Sequence, residues 1–356
     1  MLLSLPARDG DAMHRLRRIF NENRSALQLF SVYLNEAPQL VTAELVESLC
    51  ADCGVKKEFA FVSILSAAAG LEPDTNTDDR RFQRNYLQPA IHLLNTARYT
   101  ENPYYKNIRI PGKMVKNWEL KTETYPPYRG FVCNDPLVRP DLTDIPQLGF
   151  FDRPFSFPAI LENGNEWMTL TPVDLDTCDD AIASARGRVV TFGMGLGYFA
   201  YMASCKQEVS EVTVVDISPD VISLFETCIL PQFSHPEKVK IVCADAFAYA
   251  EHTLPQENFD YAFVDTWRDV SDGFPMYVKM KRLEKLSPRT KFDYWIEGSI
   301  LSHLRGLVFE QLWEQFTAGE KRSPLPGEPV IDSVDALYRI LSDDGLREIA
   351  GDIVRV

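Results

Sequence analysis

The sequence lacks long apolar runs and is comparatively poor in basic residues. No stretch of its 356 residues reaches 18 consecutive apolar positions, so the sequence predicts no membrane-spanning helix. Residues 1–6 are too few, and contain no basic residue, for a typical secretory signal. Lysine and arginine number 37 against 51 acidic residues, which gives a net charge of −14. This balance argues against a nucleic-acid backbone as partner and suits a cationic substrate.

Histidine and paired cysteine are also scarce. Five histidines are spread over the chain, and no two of them have the HxxxH or HExxH spacing of a metal site. Seven cysteines, an odd number, include one CxxC, formed by Cys50 and Cys53. Because no second pair accompanies it at metal-site spacing, the sequence predicts no metal centre. Scattered thiols in a long chain predict reduced cysteines and a cytoplasmic protein.

The strongest pattern that is present is a glycine-rich loop between two β-branched runs. The runs at 189–192 and 211–215 each predict a buried strand, and residues 198–206 between them are compatible with a helix. This order of strand, loop, helix and strand predicts one βαβ unit that binds a nucleotide-like ligand. The loop has the pattern GxGxG, and its candidate ligand-binding residues are Gly193, Met194, Gly195 and Gly197.

An acidic residue follows the second strand of this unit. Asp216 lies 19 residues after Gly197, near the separation of about 20 at which an acid accepts both ribose hydroxyls. The glycines let the backbone come close to the ligand, and the start of the helix presents free N–H groups. A dinucleotide fingerprint, GxGxxG, needs a glycine at the position that Tyr198 occupies. The loop therefore argues against an NAD-dependent oxidoreductase.

With this loop and acid, residues 171–297 resemble the class I S-adenosylmethionine (SAM)-dependent methyltransferases, whose loop is typically GxGxG. The resemblance implies SAM as cofactor, with Asp216 on the ribose and Ile217 against the adenine. It further implies that Asp245 and Ala246 hold the edge of the adenine ring. The family usually has an acid two residues before the first glycine, and this chain has a threonine there.

Three further apolar runs continue the alternation of strands and helices. The runs at 239–243, 259–264 and 292–296 predict the remaining strands of a doubly wound, mostly parallel, Rossmann-like α/β sheet. Helices are predicted at 302–315 and 333–341, where the family closes its sheet with an antiparallel strand pair. Acids follow four of the five strands, at the carboxyl ends where such sheets bind ligands. These acids are Asp216, Asp245, Asp265 and Glu297.

The acid after the fourth strand is the candidate catalytic residue. In the superfamily that the chain resembles, residues at this position face the acceptor. The resemblance therefore implies that Asp265 holds a substrate amine or accepts its proton. Trp267 is the second candidate catalytic residue, which either stacks on the substrate beside Asp265 or packs in the core. The chain is thus predicted to be a methyltransferase acting on a small-molecule acceptor, for which an amine is the candidate group.

Two alternatives remain open. The spermidine synthase branch of the superfamily also has a hairpin before its core, here predicted by Asn163-Gly164, and transfers an aminopropyl group from decarboxylated SAM. Its Asp-x-x-Asp-Pro loop corresponds to Asp265 and Asp269, with one residue more between them and no proline. The second alternative is a non-catalytic SAM-binding protein that uses its N-terminal helices as a contact surface.

The first 150 residues differ in pattern from the rest. Apolar spacing predicts helices to about residue 100, and the dense prolines and tyrosines of 99–152 predict a wrapping segment without central strands. We therefore predict a helical N-terminal domain with this segment at 1–150 and a SAM-binding catalytic domain at 151–356. The N-terminal part is a candidate lid, substrate platform or homodimer interface.

Overall fold

The N-terminal part of the chain is mainly helical in the computed structural model, which describes residues 1–319, 322–325 and 328–353. A two-residue strand, β1 (Leu2–Leu3), precedes the first helix. The helices are α1 (Gly10–Glu36), α2 (Ala43–Cys53), α3 (Lys57–Ala68), α4 (Thr77–Phe82), α5 (Gln88–Ala90), α6 (Thr96–Thr100) and α7 (Pro103–Asn107). In α1 the buried side chains Met13, Leu16 and Phe20 share one face, because they recur at helical spacing.

Residues 91–169 contain two small sheets, where the sequence predicts a wrapping segment over 99–152. One sheet has the order β2-β6-β5 and the other the order β3-β4-β7-β8. Pro136 lies in an edge strand, β5, at a point where the register is irregular. Pro146 lies in β6 and Pro158 in β7, which are inner strands, so the expectation that the segment has no central strands is wrong. The strands are β2 (Ile91–Leu93), β3 (Lys113–Val115), β4 (Trp118–Tyr125), β5 (Phe131–Val138), β6 (Asp144–Phe150), β7 (Phe155–Glu162) and β8 (Asn165–Thr169).

A tight turn joins β7 to β8 at the hairpin that the sequence predicts. Asn163 and Gly164 both have positive φ, of 53° and 79°, as the favoured two-residue hairpin turn requires. Strand β7 also pairs with β4 along its whole length. The hairpin is therefore anchored to strands on the other side of the predicted domain boundary at 150/151.

The centre of the molecule is a five-stranded parallel sheet. Its order is β11-β10-β9-β12-β13. The chain therefore adds β10 and β11 on one side of β9 and then β12 and β13 on its other side. Successive residues of β9 alternate between two apolar clusters, which cover the two faces of the sheet. The strands are β9 (Gly187–Phe192), β10 (Val209–Asp216), β11 (Val239–Cys243), β12 (Tyr261–Val264) and β13 (Lys291–Tyr294). The helices around it are α8 (Pro172–Asp176), α9 (Asp179–Ser184), α10 (Tyr198–Ser204), α11 (Pro219–Leu224), α12 (Ala246–His252), α13 (Val270–Glu284) and α14 (Glu297–Ala318).

The C-terminal part consists of β14 (Val330–Ile331), α15 (Val334–Leu341) and α16 (Asp343–Ala350). Within the described residues no further strand extends the parallel sheet, and α14 follows β13 directly. Helix α1 packs on α14, where the rings of Phe20 and Phe309 stack 4.0 Å apart. Strand β1 pairs with β14, so the two ends of the chain are also in contact.

A buried arginine connects distant parts of the chain. Arg305, on α14, donates hydrogen bonds to the Asp144 carboxylate at 3.0 Å, to the Leu341 carbonyl at 2.8 Å and to Asp343. These contacts join β6 to the C-terminal helices. Within the described ranges, no helix combines the length and the hydropathy needed to cross a bilayer.

Candidate cofactor and acceptor site

The glycine loop, residues 193–197, lies where the strand order of the parallel sheet reverses. Its first residue, Gly193, donates its N–H to the Val215 carbonyl at 2.8 Å and has a φ of +93°. A Cβ at this position would lie 1.8 Å from the carbonyl oxygen of Asp265, so only glycine fits between β9 and β12. The carboxyl ends of parallel strands at such a reversal form a crevice that binds ligands.

Asp216 is hydrogen-bonded to the glycine loop. One carboxylate oxygen accepts the N–H of Met194 at 2.9 Å, and the other accepts the N–H of Ser218 at 2.8 Å. The side chain is 8 % exposed, and this burial raises the pKa of the Asp216 carboxyl, while both N–H donors lower it. A carboxylate has about four acceptor positions, so about two remain for further donors. This is the hydrogen-bonding capacity that a ribose diol requires.

The residues predicted to contact an adenine lie beside Asp216. Ile217 follows the last residue of β10 and is 68 % exposed, so its apolar side chain is accessible to a ligand. The Asp245 carboxylate accepts the N–H of Ala248 at 2.8 Å and caps α12. Ala246 is the first residue of that helix and is partly buried. Asp245 therefore has a structural role, and its second oxygen has no partner among the described residues.

A small cavity of about 20 Å³, enough for one water molecule, lies at the end of β12. Two carboxyl groups line it, those of Asp174 and Asp265, and none of the described residues around it is basic. The remaining wall includes Thr191, Gly193, Met194, Tyr198, Phe199 and Trp295. The glycine loop and the predicted catalytic acid thus border one enclosed space.

Both carboxyl groups in this cavity hold their protons unusually tightly. Burial raises the pKa of Asp265 to about 8, and the charges of Asp174 and Asp216 add to the effect. Burial also raises the pKa of Asp174 to about 6, although Thr171 donates its N–H at 2.7 Å and its hydroxyl at 2.9 Å. A cation in this cavity would favour the ionised form of both groups.

Asp174 does not appear among the site residues that the sequence predicts. It lies three residues after Thr171, in the spacing of a capping box, and the structure confirms that it caps α8. The capping pattern indicates a helix start and gives no signal for a binding site. Only the folded chain shows that this helix begins at the cavity wall.

Trp267 requires a correction, because its side chain packs in the core. The indole is 6 % exposed and stacks on Tyr294 with ring centroids 6.4 Å apart. It also fills the space beside Gly273, where a Cβ would lie 2.8 Å from the ring. The cavity is lined instead by Trp295, after the next strand. Trp267 therefore does not line the cavity that Asp265 borders.

The fourth acid at a strand end has a structural contact. Glu297, the first residue of α14, accepts hydrogen bonds from the Tyr277 hydroxyl and from Arg347, both at 2.8 Å. It belongs to an ion pair on the side of the C-terminal helices. Within the parts of the chain that are described, no group of three His, Cys, Asp or Glu side chains is placed to hold a metal ion.

The hairpin covers part of the glycine loop. The sulfur of Met168, on β8, lies 2.2 Å from the point that a Cβ on Gly195 would occupy. Gly195 has a φ of +49°, and its missing side chain makes room for the methionine. The hairpin and the loop are thus in direct contact.

The comparisons with known proteins give only distant matches. No family model matches the chain, and no curated protein matches it. Among solved structures, spermidine synthase from Thermotoga maritima is 13 % identical over 42 % of this chain and 56 % of its own length, with a TM-score of 0.31. MNMC2 from Aquifex aeolicus is 15 % identical over 55 % of this chain and 79 % of its own length, with a TM-score of 0.27. The chain thus spans little more than half the length of the spermidine synthase. By its own strand order, the chain is a mixed α/β protein with a Rossmann-like parallel sheet.

Proposed function

We propose that the chain is a SAM-dependent methyltransferase whose acceptor is a small molecule with an amine group. The observation that carries the proposal is the hydrogen bond between Asp216 and the glycine loop, at the reversal point of the parallel sheet. In this position an acid with free acceptor capacity and a loop without side chains suit an adenosine and its ribose diol.

The residues around Asp216 fit the rest of such a cofactor. The exposed side chain of Ile217 offers an apolar surface for the adenine face. The helix that starts at Tyr198 presents unpaired N–H groups toward the loop, which favour a carboxylate such as that of the methionine part. Because the cavity beside Gly193 has room for one water molecule, the sulfonium would lie outside it against the glycine loop, where the carboxyl groups of the cavity favour a positive charge.

The two carboxyl groups of the cavity support an amine as acceptor. An ammonium group entering between Asp174 and Asp265 would form charge-assisted hydrogen bonds with both. In the transfer, SAM supplies the methyl group and leaves as a neutral thioether. Ionised Asp265 first takes a proton from the ammonium group, because only the neutral amine has the lone pair that forms the new bond to the methyl carbon. A pKa of about 8 matches this task at neutral pH, because a base works best when its pKa lies near the working pH.

One contact disfavours aminopropyl transfer, the alternative that uses decarboxylated SAM. Asp269 corresponds to the second acid of the spermidine synthase loop. Its carboxylate accepts the N–H of Ser271 at 2.6 Å and caps α13. The same contacts lower the pKa of Asp269, with the Ser271 hydroxyl contributing most. The Asp269 carboxylate is therefore occupied by hydrogen bonds at the start of α13.

A calorimetric titration with four ligands tests the proposal. We expect SAM to bind with a stoichiometry of one, and decarboxylated SAM, NAD and ATP to bind more weakly. Preferential binding of decarboxylated SAM would support aminopropyl transfer, and preferential binding of NAD would contradict the proposed function. Release of S-adenosylhomocysteine on addition of small amines then distinguishes a methyltransferase from a protein that only binds SAM.

A further inference from the structure

The tyrosine-rich segment between β2 and β3 contacts the glycine loop directly. The Tyr104 hydroxyl, on α7, donates a hydrogen bond to the Leu196 carbonyl at 2.5 Å, and both side chains are fully buried. Leu196 lies between two glycines with positive φ, Gly195 and Gly197. Its carbonyl belongs to neither β9 nor α10, so neither element provides it with a backbone donor. Tyr104 is the donor that this buried carbonyl needs.

Further contacts align the same segment with the start of α10. Asn102 donates its side-chain amide to the Tyr198 hydroxyl at 3.0 Å, and its oxygen accepts the N–H of Tyr104 at 2.9 Å. The Tyr104 ring meets those of Tyr198 and Tyr201 edge to face, with centroids 5.7 and 5.5 Å apart. Asn102 thus fixes Tyr104 and the first residue of α10 at the same time.

We propose that Tyr104 is a positioning residue of the cofactor site, which acts by holding the peptide after Leu196 in one orientation. A loop with three glycines has wide conformational freedom, and one fixed carbonyl removes much of it before a ligand arrives. This inference rests on the proposed function, and it assigns a role to the tyrosine-rich stretch of the sequence.

The test compares Tyr104→Phe with a matched control, Tyr86→Phe. Both tyrosines are buried, and the Tyr86 hydroxyl donates to the Asn23 side chain at 2.8 Å, among the N-terminal helices. Each variant keeps the ring and loses one buried hydroxyl, so a general loss of stability affects both. We expect Tyr104→Phe to weaken SAM binding about tenfold, the equivalent of one hydrogen bond, and Tyr86→Phe to change it less than about twofold.

Amide hydrogen exchange in the free protein provides a readout that needs no ligand. We expect residues 194–198 to exchange about tenfold faster in Tyr104→Phe and unchanged in Tyr86→Phe. Unchanged exchange in Tyr104→Phe overturns the inference, and so does equal acceleration in both variants. Absence of SAM binding by the wild-type chain contradicts the proposed function, whereas the exchange result still decides on Tyr104. If Tyr104→Phe does not fold, Asn102→Ala replaces it, with the same expected acceleration.

Discussion

Asp265 should make the affinity for SAM depend on pH. In the free protein, burial and two neighbouring carboxylates raise the pKa of Asp265 to about 8, so at pH 7 the group is mostly protonated. A sulfonium bound beside it favours the ionised form, and SAM binding therefore releases a proton. The affinity for SAM should rise with pH up to about 8 and become constant above that value.

The magnitude follows from the size of the pKa shift. The pKa of Asp265 rises from 3.8 to about 8, and each unit corresponds to about 1.4 kcal/mol, or tenfold in affinity. If the bound sulfonium lowers the pKa of Asp265 by only one unit, SAM should bind about tenfold more tightly at pH 9 than at pH 6. S-adenosylhomocysteine has nearly the same shape but a neutral sulfur, so its affinity should increase much less between pH 6 and pH 9.

Calorimetric titrations of both ligands between pH 6 and pH 9 measure this effect as the ratio of their affinities. In the wild-type chain the ratio should rise about tenfold in favour of SAM. The matched variant is Asp265→Asn, which keeps the shape and cannot ionise, and its ratio should stay constant. A ratio that does not change with pH in the wild type would refute the reasoning, as would the same rise in Asp265→Asn.

Three further predictions concern stability and the corrected residue. Because folding raises the pKa of Asp265 from 3.8 to about 8, ionisation of this group opposes folding increasingly from about pH 4 to pH 8. Asp265→Asn should therefore be more stable than wild type to urea at pH 9, by up to about 6 kcal/mol, and nearly equal to it at pH 4. Gly193→Ala should destabilise the chain by roughly 3 kcal/mol or more in the same assay, since its Cβ meets a backbone carbonyl, whereas Gly54→Ala, also at positive φ but in open space, should cost about 1 kcal/mol. Trp267→Phe should lower the urea midpoint and leave the SAM affinity unchanged. A loss of affinity without a loss of stability would show that Trp267 belongs to the binding site.

The central strands of the parallel sheet, β9, β10 and β12, could be predicted closely because most of their residues are buried. Strands buried on both faces consist of nearly continuous apolar runs, and the short length of these runs favours a strand over a helix. The run at 239–243 coincides with β11, and the run at 189–192 lies within Gly187–Phe192. The glycine loop and Asp216 follow from their fixed places relative to these strands.

The strands of the two small sheets could not be recognised in the same way. In β5 the alternation of buried and exposed residues stops after Cys133, and Pro136 lies where the pairing is irregular. In β4, buried Trp118 and Leu120 alternate with more exposed residues for only the first half of the strand. Long-range pairing with β7 stabilises this strand, and that pairing has no local signal.

The sequence could not predict which side chains near the strand ends face the cavity. A position just after a strand does not determine which side of the sheet a side chain faces. Asp265 and Trp267 lie two residues apart, yet one borders the cavity and the other packs in the core. Asp174 comes to the cavity because the helix that it caps begins there, and this arrangement depends on the whole fold.

The central claim, that Asp216 and the glycine loop bind the ribose of SAM, is tested most directly by one affinity measurement. SAM is titrated into the wild-type chain, into Asp216→Ala and into Asp180→Ala, which removes an exposed carboxylate of α9. A hydrogen bond to a charged group contributes about 1.5–3 kcal/mol, so the loss of two should weaken SAM binding at least about a hundredfold in Asp216→Ala. Asp180→Ala should bind as the wild type does. Equal affinities in all three proteins, or no saturable binding of SAM to the wild-type chain, would contradict the account.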